Sequence, residues 1–220
     1  MIKWLRDNGL TLALLTLFAA SFAGHALTGL AQDNQERAEH GQAALSLAQY
    51  VVSGEFLSTV FENWESEFLQ MCAYVMLTAY LYQRGSPESK DPDSAAPQDR
   101  DPAADADNPD APWPVRKGGL WRALYSHSLG LAMLFLFASS FVLHWLNSAR
   151  QAADEALAHG QPPPTAMEHL VDSQFWFESF QNWQSEFLST AVLVALAVFL
   201  RERGSPESKP VGAPHSQTGT

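Results

Sequence analysis

The heptapeptide RGSPESK stands at Arg84 to Lys90 and again at Arg203 to Lys209, an offset of 119 residues. The same offset lays FAASFAGH (Phe18 to His25) on FASSFVLH (Phe137 to His144) without a gap. It also lays FENWESEFL (Phe61 to Leu69) on FQNWQSEFL (Phe180 to Leu188), and His40-Gly41-Gln42 on His159-Gly160-Gln161. Apolar segments resemble one another by composition alone; identical polar heptapeptides do not. The chain is therefore read as two copies of one module, so that a fold assigned to one copy must also suit the other.

Each module opens with a long apolar run. Leu10 to Leu30 holds 21 residues without a charge, and Leu129 to Leu146 repeats it. A helix rises about 1.5 Å per residue and the hydrocarbon core of a bilayer is about 30 Å thick, so each run is long enough to span. The second apolar runs, Phe68 to Tyr82 and Phe187 to Leu200, reach that length only if the FENWESEF and FQNWQSEF segments extend the helix. Lys3 and Arg6 ahead of the first run also fit a signal peptide. The recurrence of the same run after residue 120 argues instead for a mature helix. The pattern predicts an all-α membrane protein of four transmembrane helices, built as two tandem, parallel helical hairpins with short surface helices in the outer loops. The first two-helix repeat covers residues 1–90, with spans at about 9–30 and 62–83. The second covers 120–209, with spans at about 123–146 and 181–201.

Orientation is read from the basic residues, which concentrate on the cytoplasmic side. Eleven of the 13 Lys and Arg residues flank the expected spans on one side, and only Arg37 and Arg150 lie on the other. Both termini and the central linker are thereby placed in the cytoplasm. An even number of spans per repeat makes the copies parallel, not inverted as in many transporters. The net charge of −11 gathers chiefly between Asp91 and Asp110, and such an acidic balance excludes a nucleic-acid partner. Residues 91–119, rich in Pro, Asp and Ala, are expected to be a disordered linker, and 210–220 a disordered tail. Cys72 is the sole cysteine, so no intrachain disulfide forms.

The outer loops follow a shared plan. The first helix of each module is expected to run to His40 or His159 and stop at Gly41 or Gly160, a residue suited to a left-handed cap. Ser46 with Gln49, and Thr165 with Glu168, fit the capping box that opens a short surface helix. Arg84, Gly85 and Pro87, with Arg203, Gly204 and Pro206, read as a stop signal at the cytoplasmic end of the second span.

The polar residues within the second spans are the candidate site. At 100° per residue Phe61, Trp64 and Phe68 form one stripe, and Asn63, Ser66, Glu67 and Gln70 another; Phe180, Trp183 and Phe187, then Asn182, Ser185, Glu186 and Ser189, repeat them. From Gln83 back to Glu67 is roughly 24 Å of helix, and from Arg6 to His25 roughly 28 Å, so both side chains lie near the outer boundary. His25, Asn63 and Glu67, with His144, Asn182 and Glu186, are therefore the expected polar clusters, each a Glu-His pair. Three readings fit them: polar residues that lock helix register, a relay for protons or ions, or a metal site of two His and two Glu. The last lacks the Glu-x-x-His spacing of di-iron bundles. With no nucleophile beside a base, no enzyme is expected, no metal or other cofactor is assigned, and no small-molecule ligand is identifiable. The expected partners are the lipid bilayer and membrane proteins, a second copy included.

FENWESEFLQ at Phe61 to Gln70 and QRGSPESK at Gln83 to Lys90 resemble an uncharacterised bacterial multi-pass membrane-protein family, domain of unknown function 6766. The resemblance covers both hairpins. It implies a multi-pass membrane protein and no particular activity. Gln181 and Gln184 stand where the first module has Glu62 and Glu65, which leaves Glu67 and Glu186 as the shared acids. The expected role is structural or interactive, with a small proton- or ion-coupled transport element as the alternative.

Overall fold

The computed structural model describes residues 2–219, which contain nine α-helices and no strand. Helix α1 (Ile2–Asp7) leads into α2 (Gly9–Glu39), followed by α3 (Leu47–Tyr50) and α4 (Gly54–Thr78). After the linker come α5 (Trp113–Lys117), α6 (Gly119–Ser126) and α7 (Ser128–Ala158). Then follow α8 (Ala166–Leu170) and α9 (Ser173–Phe199). Thus α2, α3 and α4 recur as α7, α8 and α9.

The caps explain why the two copies fold alike. Gly41 and Gly160 both take φ +67, the left-handed region where a side chain is disfavoured. The amide of Gln42 donates to Arg37 O and that of Gln161 to Ala156 O, each at 2.8 Å, closing the helix end. His40 Nδ1 lies 2.8 Å from Glu36 O and His159 Nδ1 2.9 Å from Glu155 O, so both rings serve the last helical turn. At α8 the Glu168 amide donates to Thr165 Oγ1 at 3.2 Å and the Thr165 amide to Glu168 Oε2 at 2.8 Å. At α3 the Ser46 amide donates to Gln49 Oε1 at 2.9 Å.

The fourth and ninth helices begin earlier than positions 62 and 181. Their caps are Ser53, whose Oγ accepts from the Phe56 amide at 3.2 Å, and Asp172, which accepts from the Gln174 amide at 2.7 Å. These two residues are themselves repeat equivalents. Among the described residues α2 and α7 alone are long and apolar enough to cross a membrane, where four such helices were expected. The reason is local: the first halves of α4 and α9 are polar, through Glu62, Glu65 and Glu67 in one and Asn182, Gln184 and Glu186 in the other. The apolar stretch of α2 is 6% buried within the protein and that of α7 11%, unlike a helix at the centre of a soluble core.

The chain forms two compact units that do not follow the repeat boundary: Met1–Val60 with Leu143–Val171, and Phe61–Val142 with Asp172–Thr220. In the first, Phe56 is buried among Phe22, His25 and Tyr50, with ring centroids 5.7, 5.0 and 5.3 Å away. The backbone at Gly54 lies so close to α7 that an added Cβ would come within 2.9 Å of Gln151 N and 3.1 Å of Asn147 O. In the second unit Phe175, fully buried, meets Phe141 at 5.6 Å and Trp176 at 5.7 Å.

The linker and the tail, expected to be disordered, carry local structure. Pro97 and Pro102 each open a 3-10 turn, their fixed φ suiting the first position. The tail wraps around Lys209, whose buried ammonium donates to the carbonyls of Pro214, His215 and Gln217 at 3.3, 2.9 and 3.0 Å.

Candidate functional site

Within the second unit, α4 and α9 face each other through nearly equivalent positions. Asn182 Nδ2 donates to Glu62 Oε1 at 2.5 Å, and Trp183 Nε1 to Glu65 Oε1 at 2.9 Å. One to two turns further on, Gln70 Nε2 donates to Thr190 Oγ1. Between these rungs Glu67 and Glu186 lie near enough for their charges to act on each other. The result is a polar ladder along the two helices. Each rung is a hydrogen bond that a lipid tail cannot offer in its place.

The expected site residues distribute as follows. Asn182 and Glu186 belong to the ladder, and Glu67 faces Glu186, although Glu67 and Asn63 are exposed at the protein surface. His25 takes its neighbours in the first unit, with its ring on Phe56 and Nε2 3.5 Å from Thr59 Oγ1. His144, also of the first unit, is fully buried. Among the described residues no group of three or more His, Cys, Asp or Glu is gathered to hold a metal ion.

Repeat comparison missed Glu62 and Glu65. It discounted them because glutamines replace them in the second module. Yet Glu65 is the fully buried acid and both carboxylates carry ladder bonds. Their donors, Asn182 and Trp183, recur in the first module as Asn63 and Trp64, so the Glu-to-Gln changes do not mark these bonds; they follow from the pairing of α4 with α9.

Two further acid clusters lie outside the expected spans. In the first unit Asp33 bonds Arg37 at 2.8 Å, and Glu55, in the opening turn of α4, lies near enough to feel its charge. Burial, reinforced by the charge of Asp33, pushes the Glu55 carboxyl up to about 7. Burial, with Glu55 and Asp33 nearby, pushes the Tyr50 phenol up to about 12.

The other cluster joins the two heptapeptides. Each RGSPESK closes on itself by the same bonds. Ser89 Oγ accepts from the Gln83 amide and Ser208 Oγ from the Glu202 amide, both at 2.9 Å. Ser86 Oγ accepts from the Glu88 amide and Ser205 Oγ from the Glu207 amide, both at 3.2 Å. Gly85 and Gly204 take φ 87 and 90, which only glycine adopts freely. The motif recurs because both glycines and all four serines are needed to fold the loop. Its glutamates meet: burial first, then a hydrogen bond and repulsion from Glu207, push Glu88 up to about 7, while Tyr74 donates its hydroxyl to Glu88.

No curated protein and no solved structure matches the chain. One family model does, described as "Domain of unknown function (DUF6766)" and matching residues 1–220. The motifs that suggested this resemblance are those whose bonding is now described, and over its whole length the chain belongs to the DUF6766 family.

Proposed function

We propose that this chain is a four-span protein of a bacterial cytoplasmic membrane, with a structural or interaction role in place of an enzymatic one. The observation that carries the reading is the α4–α9 ladder, in which Asn182 bonds Glu62, Trp183 bonds Glu65 and Gln70 bonds Thr190 from one helix to the other. Polar groups used in this way hold helix register in a bilayer, where apolar association alone discriminates poorly. The thin cover over α2 and α7 supports insertion, because a lipid-facing helix needs none from the protein. In this reading α4 and α9 complete their spans with their apolar second halves, while their acids face each other and not lipid. The eleven basic residues place the termini and linker inside, and the partners are lipid, a second copy or another membrane protein. Accessibility tags in whole cells test the arrangement. Tags near residues 35 and 155 are expected to label from outside, and one near residue 105 only after permeabilisation. Labelling of all three from one side would refute four spans.

A specific observation favours the second reading, a small proton- or ion-coupled transport element. Glu67 and Glu186 lie near enough for their like charges to act on each other, and a pair of acids between two helices is what a proton or cation path needs. Liposomes with an entrapped pH-sensitive dye decide between the two. The structural reading expects the same proton leak from wild type and from Glu67→Gln/Glu186→Gln; a leak abolished by the double substitution would establish the relay.

A further inference from the structure

Between Asp110 and Asp154 this acidic chain has no Asp or Glu, and the first part of that stretch holds Arg116, Lys117 and Arg122. They cluster on the paired helices α5 and α6. The Lys117 ammonium lies 4.8 Å from the Trp113 ring centre and 4.7 Å from that of Trp121. Arg122 borders the turn between the helices, its Nη1 4.0 Å from where a Cβ on Gly118 would stand.

Beside the cations the surface is apolar. Leu120 is 72% exposed, and Trp113, Trp121, Leu124 and Tyr125 are exposed too. In α6 Leu120 and Leu124, and likewise Trp121 and Tyr125, sit four residues apart, the spacing of one helical face. Aromatic and apolar residues on one side with Arg and Lys beside them are the pattern of a helix lying in the membrane interface. Beneath α6 opens a cavity of about 650 Å³, walled by Val75, Met76, Leu124 and Leu131, with Ser126 and His127 as polar members. That volume falls within the range of small-ligand pockets.

We propose that this region binds an anionic phospholipid, its phosphate held by Arg116, Lys117 and Arg122 and one acyl chain lying in the cavity. The charge selects an anion, and the exposed tryptophans and the apolar cavity select one attached to hydrocarbon. A water-soluble phosphate compound would leave both uncovered. The proposal rests on the reading that the chain inserts in a bilayer.

Full-length protein in detergent, titrated with phosphatidylglycerol or phosphatidylcholine and weighed intact by native mass spectrometry, tests it. Wild type is expected to retain phosphatidylglycerol at least tenfold more tightly. Arg116→Gln/Lys117→Gln/Arg122→Gln should lose that preference, at about fivefold per cation removed. Gly130→Phe probes the cavity separately: a Cβ there meets Met76 Cγ at 3.6 Å, so a larger side chain projects into the space. It should weaken both lipids alike while thermal unfolding shows the variant folded. Equal retention of the two lipids by wild type, an undiminished preference in the triple variant, or displacement by glycerol 3-phosphate would each overturn the site. Wild type that fails to partition into vesicles of either lipid would instead overturn bilayer insertion, which separates the two failures.

Discussion

At residue 29 the first module has glycine where the second has Ser148, and at residue 50 tyrosine where the second has His169. The two differences are one. Tyr50 is buried with its hydroxyl against Gly29, where a Cβ would collide with it. In the second module the shorter imidazole leaves room for a side chain, and Ser148 Oγ lies 2.8 Å from His169 Nε2. Large ring with no partner side chain, and small ring with a hydroxyl, are two solutions to one packing problem. Gly29→Ser alone is therefore expected to lower stability by about 1–3 kcal/mol, despite the better helix propensity of serine. Gly29→Ser with Tyr50→His, which transplants the second module's solution, should recover most of that loss. Thermal unfolding in detergent of the two single variants and the double checks this; additive losses would show that the positions are independent.

At the scale of elements, what could be read from sequence was what local chemistry decides. Gly41, Gly160, Gly85 and Gly204 all take positive φ as their positions after helices suggested, and Thr165 with Glu168 forms the expected capping box. Helices α4 and α9 begin ahead of the aromatic motif, behind Ser53 and Asp172, ordinary cap residues at matching positions. The ladder was half legible: Glu67, Glu186 and Asn182 were singled out, but Glu62 and Glu65 were set aside. Identity between copies finds what each copy needs for itself, as in the RGSPESK loops. It does not show which positions of one copy meet which of the other: Glu65 takes its donor from Trp183 and not from its own equivalent, Gln184. The bonds around Lys209 likewise lie beyond local pattern, because they depend on the chain returning to it.

For the molecule as a whole, pH should act through the two displaced acids outside the expected spans. Glu88 and Glu55 are each held up to about 7 in the folded protein, against 4.5 ordinarily. A raised carboxyl binds its proton more tightly when folded, so its stabilisation is complete below about pH 4.5 and is lost as pH rises through about 7. Stability, read as the unfolding temperature, is expected to fall between pH 5 and pH 8, by about 1 kcal/mol per acid once solvent screening is allowed for. Glu88→Gln should make the slope shallower and Glu88→Gln/Glu55→Gln should nearly flatten it; an unchanged slope would mean that neither acid shares its proton. The division into units has a consequence for ancestry. Each compact body takes chain from both modules, as at Gly54 against the backbone of α7. A lone hairpin owns neither body complete, so an unduplicated forebear would have had to meet its twin to finish folding. With both modules in one chain, that encounter between strangers takes place within a single molecule.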